Sequence, residues 1–123
     1  MRKERILELA KGFRGRRKNC IRVARPAVEK ALVYAFRDRR QKKRDMRTLW
    51  IQRISAAARE HGVKYSNLMH GLQQDNIMIN RKVLSELAMY EPYSFQALVD
   101  QVKFMRAGTA ALSGSSDLGP ALA

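Results

Sequence analysis

Ile6, Leu7 and Ala10 share one side of a short helix predicted over residues 2–11, and Gly12 offers it a C-terminal stop. From Lys11 to Arg25 the chain reads KGFRGRRKNCIRVAR, with two glycines and little periodicity, the pattern of an extended or irregular arm. Pro26 suits the first turn of a helix, where its missing N–H costs nothing, although Arg25 before it cannot cap the free N–H groups. No Gly or Pro follows until His61-Gly62, and strong helix formers dominate residues 27–60. A continuous helix of about 35 residues, roughly 50 Å long, is predicted there. Ala27 to Phe36 is largely apolar, and Leu49, Trp50, Ile54 and Ala57 restore helical apolar spacing near the end.

After Gly62 the helices shorten. Ser66 is placed to cap one through about Gln73, carrying Leu68, Met69 and Leu72. Asn80 is placed to cap a second, with Val83, Leu84, Leu87 and Ala88 inward, and Ile77 and Ile79 frame the loop before it. Glu91-Pro92 breaks that helix, and Ser94 is placed to cap a third with Phe95, Leu98, Val99, Val102 and Met105 inward. These helices make a small core, completed by the end of the long helix. Gly108 to Ala123 is rich in Gly, Ala and Ser without helical patterning and is expected to be disordered. The expected fold is all-α: a basic N-terminal arm and long α-helix over residues 1–60, a small C-terminal three-helix globular domain over 61–107, and a tail over 108–123.

Charge changes the picture. Residues 1–60 carry 20 Lys/Arg against 6 Asp/Glu, whereas residues 61–123 carry 5 of each, so the net +14 of the whole chain sits in the first half. A sequence pI near 10.8 implies a polyanionic partner, with nucleic acid ahead of an anionic membrane surface. Cys20 is the only cysteine, so no intrachain disulfide forms. No apolar run approaches the roughly 20 residues that span a bilayer, and Glu8 interrupts the apolar residues near the start, unlike a secretory signal. The chain reads as soluble and intracellular.

The charge concentrates in residues 37–47, RDRRQKKRDMR, with seven basic residues in eleven. At 100° per residue, Arg37, Arg39, Arg40, Lys42, Lys43, Arg44 and Arg47 fall at about 0, 200, 300, 140, 240, 340 and 280°. Most of the circumference is basic, and no stripe remains to pack on a protein core. Asp38 with Lys42, and Arg44 with Asp45, offer too few acids to make this a merely solvated, self-paired face. Arginine forks and lysine point charges match phosphate oxygens. Neutralising about ten phosphates gives an affinity that falls by roughly three to five decades between 50 and 200 mM salt on duplex DNA, and RNA follows the same trend.

Aromatic residues are interleaved with the charge: Phe13 in the arm, Tyr34 and Phe36 before the cluster, Trp50 after it. Phe13, isolated among cations, reads as a nucleic-acid contact, and Trp50, beside Leu49 and Ile54, as packing. Gly12 and Gly15 match neither a dinucleotide fingerprint nor a Walker loop. His61 and His70 with one distant cysteine make no metal site and read as capping or surface residues. No nucleophile–base or paired-carboxylate arrangement stands out, and the small core leaves little room for a substrate cavity, so no enzyme, cofactor or small-molecule substrate is expected.

Four classes compete: a structural RNA-binding protein in a ribonucleoprotein, a DNA-binding regulator, an amphipathic membrane or calmodulin-type helix, and an enzyme. A DNA regulator presents one basic face to a groove and keeps the other on its own domain. A membrane helix needs an apolar stripe, for which residues 37–47 supply only Met46. Insertion between RNA helices accommodates charge on every side, which favours the first class.

The stretch YAFRDRRQKKRDMRTLWIQRISAAAREHGVKYSNLMHGL, residues 34–72, resembles the bacterial-type large-subunit ribosomal protein number twenty family. KERILELAKGFRGR is similar to that family's N-terminal arm, and INRKVLSELA with SFQALV to its last two helices, so the resemblance covers about residues 3–105. It implies a structural constituent of the large ribosomal subunit that binds large-subunit ribosomal RNA, supports assembly, and neighbours the large-subunit protein number twenty-one. Position by position, it implies RNA contacts at Lys11, Phe13, Arg14, Arg16 and Arg17 in the arm. On the long helix it implies Arg22, Arg25, Arg37, Arg39, Arg40, Lys42, Lys43, Arg44, Arg47 and Arg53. The family pattern carries a further basic segment before the position of Lys3, and the tail here is additional. KNCIRVAR and YEPYSFQAL resemble the plant mitochondrial members, which implies the mitochondrial ribosome, with a chloroplast or bacterial ribosome as the alternative location. A non-ribosomal basic nucleic-acid-binding regulator is the alternative function.

Overall fold

The computed structural model describes residues 1–113, with side chains through residue 108. Every regular element among the described residues is helical: α1 (Lys3–Leu9), one 3-10 turn (Gly15–Lys18), α2 (Ile21–Glu60), α3 (Tyr65–Gln74), α4 (Arg81–Tyr90) and α5 (Pro92–Ser113). The all-α expectation holds. The chain divides into two compact units, Met1–Asp45 and a second beginning at Met46.

In the first unit, Ile6 and Ala10 bury against Ala24 and Val28 of α2, with Leu7, Phe13 and Ile21 half-buried around them. This pairing corrects two expectations. The stretch read as an irregular arm up to Arg25 is helical from Ile21 onward, and Pro26 lies inside α2 instead of opening it. The first helical bond runs from the Ala24 N–H to the Cys20 carbonyl at 2.8 Å. Pro26 therefore brings no N–H to the Arg22 carbonyl, a defect that costs about 3 kcal/mol in an ordinary helix interior. Burying Ala24 and Val28 on α1 is what holds these turns helical despite it. The contact is non-local, so periodicity along α2 alone does not reveal it.

In the second unit, Ile54 and Ala58 at the end of α2 join Leu68 and Leu72 of α3, Leu84 of α4, and Phe95, Val99 and Val102 of α5 in one buried cluster. α2 stops where expected. Gly62, at φ +74°, takes the left-handed conformation that L side chains avoid. Its N–H donates to the Arg59 carbonyl at 3.0 Å and the Val63 N–H donates to the Ala58 carbonyl at 3.0 Å, a Schellman turn whose apolar residue, Val63, is buried in the core. The end of α3 repeats this with Asn76 at φ 56° and Ile77 donating to the Leu72 carbonyl at 2.9 Å.

Asn80 caps α4 as expected, its Oδ1 accepting from the Val83 N–H at 2.9 Å. The other two capping expectations are corrected. α3 begins at Tyr65 behind Lys64, which makes no side-chain cap, and α5 begins at Pro92, so Ser66 and Ser94 lie inside their helices. The proline needs no hydrogen bond at a first helical position, and the Glu91 carbonyl accepts from the Phe95 N–H at 3.1 Å. Two expected core residues are corrected as well: Val83 is 41% exposed and Met105 41% exposed. Ser85 is buried in place of Val83, its hydroxyl donating to the Lys82 carbonyl at 2.8 Å. α5 continues through Gly108 to Ser113, so the tail expected to be disordered from Gly108 is helical over its first residues. The rest of that expectation, residues 114–123, lies outside the described residues.

Candidate nucleic-acid interface

Residues 32–48 of α2 contain no buried and no half-buried side chain. Their apolar members are exposed too: Val33 by 59% and Phe36 by 57%. A helix with no face on a protein core gains nothing from burial along that length, so its helicity rests on propensity and local pairing. The pairing of Asp38 also differs from the spacing argument. Asp38 accepts from the Arg37 guanidinium at 2.9 Å, not from Lys42, and Asp45 accepts from the Gln41 amide at 3.0 Å. The Asp38 hydrogen bond raises the Arg37 pKa, which leaves that group charged throughout. Seven cations against two acids keep the segment strongly positive.

The aromatic rings here carry cations instead of packing on protein. The Arg37 guanidinium lies 4.7 Å from the Tyr34 ring centre and Lys30 Nζ 5.9 Å from it. Arg40 and Arg39 lie 5.3 and 6.0 Å from the Phe36 ring. Trp50, expected to pack, is half-buried.

All but one of the cations expected to meet nucleic acid are exposed. Lys11, Arg14, Arg16 and Arg17 are exposed on the loop and 3-10 turn, and Arg22 and Arg25 on the first turns of α2. Arg37, Arg39, Arg40, Lys42, Lys43, Arg44 and Arg47 are exposed along the middle of α2, while Arg53 is half-buried. Phe13 is half-buried, one side against the Ile6–Val28 cluster.

The fold gathers some of these residues into one place. A groove of about 640 Å³ runs between the arm and α2, with Phe13, Arg14 and Arg17 on the arm side. Its α2 side is two adjacent rows at four-residue spacing: Arg22, Pro26, Lys30 and Tyr34 in one, Val23, Ala27 and Ala31 in the other. Lys30 was not among the expected contacts. Its four-residue step between Pro26 and Tyr34 is the signal that marks it, but only once α2 is known to extend through Pro26.

The remaining candidates stay apart. His61 sits just past the end of α2, its ring 6.3 Å from that of Phe95, while His70 is exposed. Among the described residues no group of three His, Cys, Asp or Glu is placed to hold a metal ion, and no helix is long and apolar enough to cross a membrane.

Comparison with known proteins is decisive on one point: the family model described as ribosomal protein L20 matches residues 1–98. The chain belongs to this family. Among its relatives, the large ribosomal subunit protein bL20 of Rhodospirillum centenum is 58% identical over 102 residues, covering 83% of this chain and 86% of the relative. The bL20 of Methylobacterium sp. strain 4-46 is 56% identical over 100 residues, covering 81% and 80%. That of Anaeromyxobacter sp. strain Fw109-5 is 58% identical over 102 residues, covering 83% and 90%. The matched region includes the arm, all of α2 and the two helices after it.

Proposed function

We propose that this chain is a structural constituent of the large ribosomal subunit that binds large-subunit ribosomal RNA and supports its assembly. The observation that carries the reading is the exposed length of α2, residues 32–48, with cations over most of the circumference of its central part. RNA packed on several sides of a helix satisfies that distribution, whereas a duplex groove meets one face. The same logic makes the role architectural: the segment supplies charge and shape, and no catalysis is assigned to it. The arm and α2 are the RNA-binding part, and residues 61–107 with the end of α2 are the chain's own folded anchor. A large-subunit neighbour, number twenty-one by family resemblance, is assigned to the second unit, where Tyr90 and Tyr93 are 76% and 85% exposed.

The mitochondrial ribosome is the proposed location, on the wording of KNCIRVAR and YEPYSFQAL. The relatives named above are bacterial, so the organelle rests on those two segments alone. Sucrose-gradient fractionation of cell and organelle extracts at moderate salt tests both levels. Co-sedimentation with the mitochondrial large subunit is expected. Migration at the top of the gradient contradicts the ribosomal reading, and co-sedimentation with another compartment's large subunit contradicts only the location.

A further inference from the structure

The groove between the arm and α2 differs in kind from the open helix beyond it. The helix at residues 37–47 offers charge alone, but the groove has an apolar floor of Val23, Pro26, Ala27 and Ala31 under a rim of cations. At about 640 Å³ it falls in the size range of pockets that enclose a small organic ligand. Phe13 closes one side, fixed from behind by the Ile6–Val28 cluster, and Tyr34 closes one end, held by Arg37 at 4.7 Å. An apolar floor with an aromatic wall suits a nucleobase, and the rim suits the phosphates on either side of it.

We propose that this groove holds a single unpaired nucleotide of the RNA, its base against Phe13 and the α2 floor, its flanking phosphates against Arg14, Arg17, Arg22 and Lys30. The inference rests on the RNA-binding reading above and sharpens it: most of the surface is indifferent to sequence, and this one place takes a base out of its stack. Charge complementarity selects the occupant. Four cations converge on the groove, and no acidic side chain lines it, so an anionic ligand with a flat apolar part fits where a basic or purely apolar peptide does not.

The test is binding of the full chain to transcribed large-subunit ribosomal RNA across a salt series, with ultraviolet cross-linking to map the contact. Phe13→Leu keeps an apolar side chain on the Ile6–Val28 cluster and removes the ring. Ala31→Leu, away from that cluster, raises the floor with a good helix former. Both are expected to weaken binding about tenfold with an unchanged salt slope, since stacking is lost and no phosphate contact is. Phe13→Tyr retains wild-type affinity, and the wild-type cross-link joins the Phe13 peptide to one unpaired nucleotide. Wild-type affinity in both Leu variants overturns the proposal, as does a cross-link from Phe13 only to paired nucleotides or to protein. A wild-type chain that fails to bind this RNA at all overturns the broader RNA-binding reading instead.

Discussion

Gly71 of α3 lies so close to Val102 of α5 that a Cβ on the glycine would overlap Val102 Cγ1 and stand 3.1 Å from Cγ2. Val102 is 1% exposed and β-branched, so it has no free rotamer into which to retreat. The missing side chain is what lets α3 and α5 approach. Gly71→Ala is expected to destabilise the second unit by about 1–3 kcal/mol in urea unfolding, the range for overpacking a core. Gly108→Ala gives the opposite sign. That glycine is on the same helix as Val102, with nothing within 4 Å of the added carbon, and the change should stabilise α5 by up to about 1 kcal/mol.

Asn80→Ala removes the side chain that accepts from the Val83 N–H at 2.9 Å. Loss of one N-cap costs about 1 kcal/mol, and Asn80→Ser should recover most of it. Thermal unfolding of the three proteins side by side checks the order.

These two positions show what the sequence could and could not reveal. Asn80, the stop at Gly62 and the break at Glu91-Pro92 are local signals, and each acts within a few residues of where it is written. The exposure of residues 37–47 was legible for a similar reason, because seven cations spread around one helix leave no apolar stripe to bury, whereas that of the apolar residues Leu32, Val33 and Phe36 was not. Gly71 gave no such signal. Its role exists only when α5 lies across α3, as the role of Ala24 exists only when α1 folds back onto α2. The groove shares this origin: its cations and Phe13 were readable one by one, but their convergence depends on the early start of α2 and on the return of the arm.

The first unit buries four residues, two of them alanines, beneath most of the chain's positive charge. That core is too small to offset both chain entropy and charge repulsion. A peptide of residues 1–45 at low salt should show weak helical circular dichroism that rises several-fold on adding RNA. A fully helical spectrum without RNA contradicts this.

The second unit has the opposite balance, nearly neutral with a single cluster spanning four helices. A fragment of residues 46–113 should unfold cooperatively on heating. Phe95→Ala, which empties the largest fully buried side chain, should cost about 3–5 kcal/mol in that fragment. A featureless thermal trace for the unsubstituted fragment contradicts independent folding.

The central claim is that RNA surrounds the exposed part of α2 and does not merely lie along one side. Replacing the cations of residues 37–47 by alanine one at a time, and measuring how the affinity for large-subunit ribosomal RNA depends on salt, tests it directly. Enclosure predicts that each replacement lowers the salt slope by about one, wherever the residue sits around the helix. A slope that falls at Arg37, Arg40, Arg44 and Arg47 but not at Arg39, Lys42 and Lys43, on the other side, would contradict it.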